Sequence, residues 1–276
     1  MGLRPKTPAM TTFIKLGGSV ITDKLQAETP AMLVITRLAA EVRAALDAGA
    51  GPIVLGHGSG SYGHVAARRY GIHTGIAAGG DWMGYAVTSA AALRLNRIVV
   101  DALLAAGVPA LALQPSATLL AKGGLLQHWD LINLKTALGH GLLPVVHGDV
   151  AFDLAQGSAI ISTEQLLLAL AADPELRPTR IILVGEAGVY TADPRTNPAA
   201  SRIPFINHTN VVEVLAMTGG SHGVDVTGGM RAKVALMWQL IEANPTLWVH
   251  LIGTTPGLLE RALLNQAQGE GTVMTV

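Results

Sequence analysis

Short apolar runs alternate with longer amphipathic ones along most of the chain. Residues 12–16 read as a strand and end in Gly17-Gly18-Ser19. Thr29 then stands as the N-cap of a helix with Pro30 in its first turn. Ile35, Leu38, Val42 and Leu46 recur at helical spacing, and Gly49 stops the helix. Residues 52–55 form a second strand, followed by a Gly-rich loop and a helix near residues 65–70. A long helical pattern covers about residues 82–106, residues 108–113 read as a buried strand, 130–138 as a helix and 143–147 as a strand. Residues 150–161 predict a hairpin turning at Gln156-Gly157, before a helix over 163–172. A strand at 180–184, helices at 211–217 and 230–243, and strands at 247–252 and 272–276 complete the pattern. Alternation of this kind predicts an α/β fold with a mostly parallel sheet covered on both faces. The polar, Pro-containing stretch 174–178 marks a lobe boundary, giving an N-terminal lobe of residues 1–173 and a C-terminal lobe of 174–276.

Composition narrows the function classes. Half of the 276 residues are apolar and only 14% are charged, against roughly 25% in a typical soluble domain. The core is therefore expected to be large, with some apolar surface shared with a second copy in a homodimer. Zero net charge leaves no electrostatic footprint for nucleic acid or an anionic membrane. The absence of cysteine excludes disulfides and thiolate metal sites and suits a cytoplasmic protein. Residues 1–10 lack the apolar segment of a signal peptide. No uninterrupted apolar run reaches the ~18 residues of a membrane helix.

Two Gly-rich loops directly follow the first two strands: Lys15-Leu16-Gly17-Gly18-Ser19, and Gly56-His57-Gly58-Ser59-Gly60-Ser61-Tyr62-Gly63-His64. Such loops present backbone N–H groups to an anionic phosphate, although glycines also simply permit tight turns. The lysines shift the balance. Of six, Lys15 ends an apolar strand, where a cation needs an anionic partner, Lys24 follows in Thr22-Asp23, and Lys233 follows Gly228-Gly229-Met230-Arg231-Ala232. Phosphoryl transfer needs chiefly positive charge and N–H donors around the moving group. The second loop also contains Gly58-x-Gly60-x-x-Gly63, a dinucleotide fingerprint. Asp81 has the spacing of the ribose-binding acid but follows Ala78-Gly79-Gly80 rather than a strand, which argues against an oxidoreductase. There is no P-loop, no nucleophile elbow and no H-E-x-x-H spacing, so no protein-held metal is expected.

Several stretches together resemble the isopentenyl phosphate kinase branch of the amino-acid-kinase superfamily. They are residues 14–24, residues 58–64, His147-Gly148-Asp149-Val150, residues 188–194 and Thr227-Gly228-Gly229-Met230-Arg231-Ala232-Lys233, in the family's order and across nearly the whole chain. The histidine closing the second loop and the early Thr-Asp-Lys are the more specific elements. The resemblance implies an open αβα sandwich and phosphorylation of isopentenyl phosphate by ATP, with Mg²⁺ carried on the nucleotide. The N-terminal lobe would bind the acceptor and the C-terminal lobe the nucleotide. Lys15 would hold ATP phosphates together with Gly17, Gly18 and Ser19, and Lys24 would stabilise charge in the transition state. His64 would hydrogen-bond the acceptor phosphate, Gly60 would let a backbone N–H approach the transferring group, and Asp149 would orient the lysines. Gly229 and Lys233 would contact ATP, as would Gly185, Glu186 and Tyr190.

The chain departs from the family pattern at three places. Ser59 replaces the middle glycine of the second loop, and Ser162-Thr163-Glu164 stands for the usual Ser-Gly-Asp. The resemblance implies that Ser59 and Thr163 line the acceptor phosphate, each adding a side chain where close backbone approach is usual. Gly185-Glu186-Ala187-Gly188 replaces Asp-Val-Asp-Gly on the nucleotide side. Trp82, Met83 and Tyr85, with residues 76–78, supply bulky apolar groups for an acceptor tail, or equally for ordinary core packing.

Overall fold

The computed structural model describes residues 11–23, 25–77, 79–218 and 229–276. The first part of the chain forms β1 (Thr12–Leu16), α1 (Gly18–Ile21), α2 (Met32–Asp47), β2 (Ile53–His57), α3 (Gly60–Tyr70) and α4 (Met83–Ala105). It continues through β3 (Ala110–Ala112), β4 (Leu119–Lys122), β5 (Leu125–Trp129), α5 (Ile132–Gly139), β6 (Leu143–His147), β7 (Asp149–Asp153), β8 (Gly157–Ile161) and α6 (Thr163–Ala172). The remainder forms β9 (Arg180–Val184), β10 (Val189–Tyr190), β11 (Arg202–Ile203), β12 (Phe205–Ile206), α7 (Val211–Met217), α8 (Gly229–Ala243), β13 (Trp248–Ile252), α9 (Leu258–Leu263) and β14 (Thr272–Met274).

Eight strands make one sheet in the order β12-β14-β13-β9-β1-β2-β6-β3. All neighbours are parallel except β13 and β14. The strands are apolar on both sides because helices cover both sides. Along β1, Phe13 enters a core with α5, α6 and α8, whereas Ile14 and Leu16 enter the opposite core with α2, α4 and α9. This is the three-layer α/β sandwich with a mostly parallel central sheet. β9 pairs with β1 over five residues, so the sheet is continuous across residues 174–178. On one face, buried Glu41 of α2 accepts the N–H groups of Gly257 and Leu259, both at 3.0 Å, and so satisfies the start of α9.

Three local expectations change. Thr29 does not cap α2: its hydroxyl donates to Ala27 O, and the helix begins at Met32 behind Ala31. Pro30 instead forms a bridge with Thr22. The strand expected over 108–113 is only Ala110–Ala112, at the end of the sheet, with Leu111 exposed rather than buried. The β4–β5 hairpin has no counterpart in the sequence reading, because both strands are short and β5 is largely exposed. The Asp153 carboxylate fixes this region by accepting the N–H groups of Gly123 (2.9 Å), Gly124 (2.7 Å), Ala155 (2.8 Å) and Gln156 (3.1 Å).

Candidate active site

The parallel strands of the sheet centre end together: Leu16 aligns with His57 and Val184, His57 with His147, and Val184 with Ile252. The segments leaving these ends are stitched by backbone bonds. Gly17 N donates to Val184 O (2.8 Å), Gly58 N to Leu16 O (3.0 Å), Gly148 N to His57 O (3.0 Å) and Gly185 N to Ile252 O (2.9 Å). In open parallel sheets the crevice beyond the carboxyl ends is the usual ligand site. Both Gly-rich loops, the start of α6 and Gly185 therefore lie along one edge.

The two loops touch backbone to backbone. A Cβ on Gly18 would lie 2.5 Å from Gly60 N, and one on Gly58 would lie 2.8 Å from Gly18 N. Thr22 fastens the contact: its hydroxyl donates to Gly18 O (2.7 Å) and accepts from Ser61 N (3.0 Å). Gly60 has φ +49°, and a Cβ there would overlap the Thr22 hydroxyl. Thr22 is a positioning residue that the sequence reading left inside a motif. Its signal was a hydroxyl at the end of the one-turn helix α1, four residues after Gly18. Ser59 precedes α3, and its side chain lies against Gly63, where a Cβ would stand 2.6 Å from Ser59 Cβ. His64 is exposed on α3.

Strand alternation sends Lys15 to the same side as Phe13, toward α6. There its Nζ donates to Glu164 Oε1 in a mostly buried ion pair. Glu164 occupies the first turn of α6, behind a Ser162–Gln165 capping box, where the helix dipole favours an acid. Burial pushes its carboxyl up, but Lys15, then Lys233, outweigh this, and the carboxyl sits below its ordinary range. Lys233 belongs to α8, which begins at Gly229 (φ +65°). One carboxylate thus feels two of the three lysines singled out in the sequence. Lys24 lies outside the described residues.

Two site candidates have partners of their own. The buried Asp149 carboxylate accepts Ser116 N (3.2 Å) and its neighbour Val150 N (2.8 Å), and among the described residues the carboxylate bonded to Lys15 is that of Glu164. Thr163 carries a buried hydroxyl. That hydroxyl donates to His57 O (2.7 Å), and a Cβ on Gly56 would lie 2.6 Å from its methyl group. It spans β2 and α6 from within the core.

Behind the loops, His57 and His147 stack with ring centroids 5.6 Å apart. Burial, and then the His147 ring, push His57 down to about 3, so it is neutral. Asn96 Nδ2 donates to His57 Nε2 (3.1 Å), which leaves Nδ1–H to donate to Gly58 O (3.0 Å). On the C-terminal side, Glu186 is exposed beside the Gly185 turn, and Tyr190 pairs with Arg202 in the β10–β11 ribbon. Above β7, Tyr85 stacks on Phe152 at 4.8 Å and meets Trp82 at 5.6 Å. The Tyr85 hydroxyl is buried without a partner among the described residues, and burial raises its pKa to about 12. Among the described residues no three acidic or histidine side chains gather as a metal site, and no helix is long and apolar enough to cross a membrane.

The arrangement is a cradle of backbone N–H groups with two lysines beside it, suited to polyphosphate. The chain is 36% identical over 272 residues to an isopentenyl phosphate kinase of Methanothermobacter thermautotrophicus, covering 95% of this chain and 98% of that one. It is 37% identical over 255 residues to an isopentenyl phosphate kinase of Haloferax volcanii, covering 90% and 97%. An X-ray structure of isopentenyl phosphate kinase superposes with a TM-score of 0.76 at 32% identity, over 95% of this chain and 99% of the other. The UMP kinase of Bacillus anthracis shares the fold, with a TM-score of 0.65 at 18% identity. The pattern of the amino acid kinase family runs through residues 10–249, from β1 into β13. The chain belongs to the amino acid kinase family.

Proposed function

We propose that the protein transfers the terminal phosphoryl group of ATP to isopentenyl phosphate, giving ADP and isopentenyl diphosphate. The observation that carries this reading is full-length likeness, at 36% and 37% identity, to two isopentenyl phosphate kinases. The site chemistry supports it. A phosphate monoester has a second pKa near ~6, so its attacking oxygen is already anionic at neutral pH. Transfer then requires alignment and charge neutralisation and no general base. In this reading Lys15 and Lys233 hold the ATP phosphates, and Glu164, which attracts both cations, keeps them oriented at the crevice until nucleotide arrives. The N–H groups of Gly18, Ser19 and Gly60 bind the moving group, with Gly17, held by Val184 O, turning the chain behind them and Gly229 opening α8 beside it. Lys24 neutralises charge in the transition state, and His64, with Ser59 near it, binds the acceptor phosphate. Gly185, Glu186 and Tyr190 flank the nucleotide. Mg²⁺ carried on the ATP phosphates would supply further neutralisation of their charge.

The Trp82–Tyr85–Phe152 cluster offers an apolar wall for the prenyl tail, so the N-terminal lobe takes the acceptor and the C-terminal lobe the nucleotide. A homodimer belongs to the same proposal: exposed Leu104, Leu111 and Leu142 lie on or beside the β3 edge, where a second copy would cover them. Light scattering that returned only the 28.6 kDa monomer would exclude it. The catalytic reading is tested by ADP release from Mg-ATP across isopentenyl phosphate, dimethylallyl phosphate, shorter and longer alkyl phosphates, and fosfomycin. Preference for isopentenyl phosphate is expected. Turnover of another acceptor alone would overturn the substrate and retain the kinase.

A further inference from the structure

His57 and His147 end neighbouring strands in register, and each is followed by the glycine that opens a crevice segment. Each imidazole turns its Nδ1 to the carbonyl of that glycine, 3.0 Å from Gly58 O and 3.2 Å from Gly148 O. A carbonyl oxygen only accepts, so Nδ1 carries the proton. The buried His57 ring is neutral and has a single N–H, which leaves its Nε2 as an acceptor. Asn96 meets that acceptor with Nδ2 at 3.1 Å. The opposite amide orientation would set Asn96 Oδ1 against a ring nitrogen that has no proton. The tautomer of His57 and the orientation of Asn96 therefore fix each other. His147 has no such lock, because its Nε2 is without a partner among the described residues.

Asn96 is a costly residue in its place. It lies on α4 in the company of Leu95 and Val99, only 2% exposed, where an amide is tolerated when it is bonded. Its effect reaches the crevice in one further step. Peptide 58–59 is trans, so its C=O and N–H point in opposite directions. With Gly58 O held back against the buried ring, the Ser59 N–H is aimed away from the core, and no acceptor among the described residues takes it. Gly58 is also where this loop meets the first one, since a Cβ there would lie 2.8 Å from Gly18 N. A tilt of peptide 58–59 would disturb both loops.

We propose that Asn96 and His57 form a positioning relay that aims the Ser59 N–H into the crevice as a donor to the transferring phosphoryl group. The proposal rests on the phosphoryl-transfer reading given under Proposed function. Neither side chain touches substrate: Asn96 acts through His57, and His57 through peptide 58–59. Asn96→Leu keeps a branched side chain without the NH₂ group, so the ring proton is free to occupy either nitrogen. Losing one preorganised donor outright costs about 10²–10³-fold in kcat, and a donor misaimed part of the time should cost about tenfold. Both KM values should change less than about twofold, because the contact strengthens in the transition state. Asn96→Ala tests the same loss if the larger leucine prevents folding.

The experiment pairs two readouts on the same proteins. Nitrogen NMR of histidine-labelled protein, with His57 assigned by the signal missing in His57→Gln, should show Nδ1 protonated in the parent and the proton moved toward Nε2 in Asn96→Leu. ADP-release kinetics, with whichever acceptor the parent turns over, should show the loss in kcat. Val99→Ala, a core truncation on the same helix, should lower the melting temperature and leave kcat unchanged. A parent ring protonated on Nε2, an unmoved tautomer in Asn96→Leu, or a moved tautomer with kcat intact would overturn the relay and leave the kinase reading standing. An equal loss of kcat in Val99→Ala would assign the effect to general stability and overturn the relay. A parent that releases no ADP with any acceptor would overturn the phosphoryl-transfer reading, and the relay with it, whatever the tautomer.

Discussion

Replacing Glu164 by Gln removes the negative charge against Lys15 while keeping the shape of the side chain. The two side chains are 16% and 12% exposed, so the stranded ammonium would have little water to replace its partner. Breaking a fully buried pair costs about 3–5 kcal/mol; the crevice lets some water in, and about 2–3 kcal/mol is expected here. Lys15→Met should cost less, about 1–2 kcal/mol, because Lys233 still neutralises the remaining carboxylate. The double variant should then be more stable than the sum of the two losses by at least about 1 kcal/mol. Urea unfolding of the four proteins at neutral pH measures this. Saturating non-hydrolysable Mg-ATP should stabilise Glu164→Gln more than the parent, because nucleotide phosphates supply the charge that Glu164 gave. The sign with pH follows from the lowered carboxyl. Its contribution is intact above the ordinary glutamate range near 4.5 and fades as pH falls through the depressed folded value. Losses that add within about 0.5 kcal/mol would refute the reasoning, since they would mean Lys15 and Glu164 do not sense each other.

Gly60→Ala should destabilise by about 3 kcal/mol or more, from a left-handed backbone and from a Cβ driven into Thr22 and 2.7 Å from Gly18 O. Gly49→Ala has the same backbone problem but nothing within 4 Å and should cost about 1 kcal/mol, so equal melting losses would show that the loop contact is slack. His57 is depressed to about 3 in the fold. The unfolded chain therefore takes up its proton first, and stability is full above pH ~6.5 and declines by about 1.4 kcal/mol per pH unit below it for this group. Urea midpoints at pH 7, 6 and 5 should fall in the parent and less in His57→Gln; parallel slopes would sink the assignment. His64→Ala should raise the acceptor KM more than the ATP KM in steady-state kinetics, and unaltered acceptor parameters would exclude its role at the acceptor phosphate.

Local pattern determined most of the framework. β1, β6, β9, α6 and α7 begin and end where apolar periodicity and flanking Gly, Pro or Ser residues placed them, because strand and helix periods are written in consecutive residues. The Gly-rich loops after β1 and β2 were legible for the same reason, and the lysines nearby made them candidates for phosphate binding. Pattern misled where a side chain had more than one local use. Thr29 reads as a cap but bonds Ala27 O, and the β4–β5 hairpin is too short and too exposed to leave an apolar signature. The acid paired with Lys15 was beyond the sequence. Asp149 and Glu164 both follow apolar strands ending at the crevice, and nothing local distinguishes them. The choice depends on which face of β1 Lys15 occupies and on α6 packing against that face, contacts that join residues 149 positions apart. Thr163 is decided in the same way, because only the packing of α6 on β2 turns its hydroxyl to His57 O and away from the crevice. Periodicity is a property of neighbours, whereas strand order and side-chain facing are set by non-local pairing, and only the folded sheet supplies that.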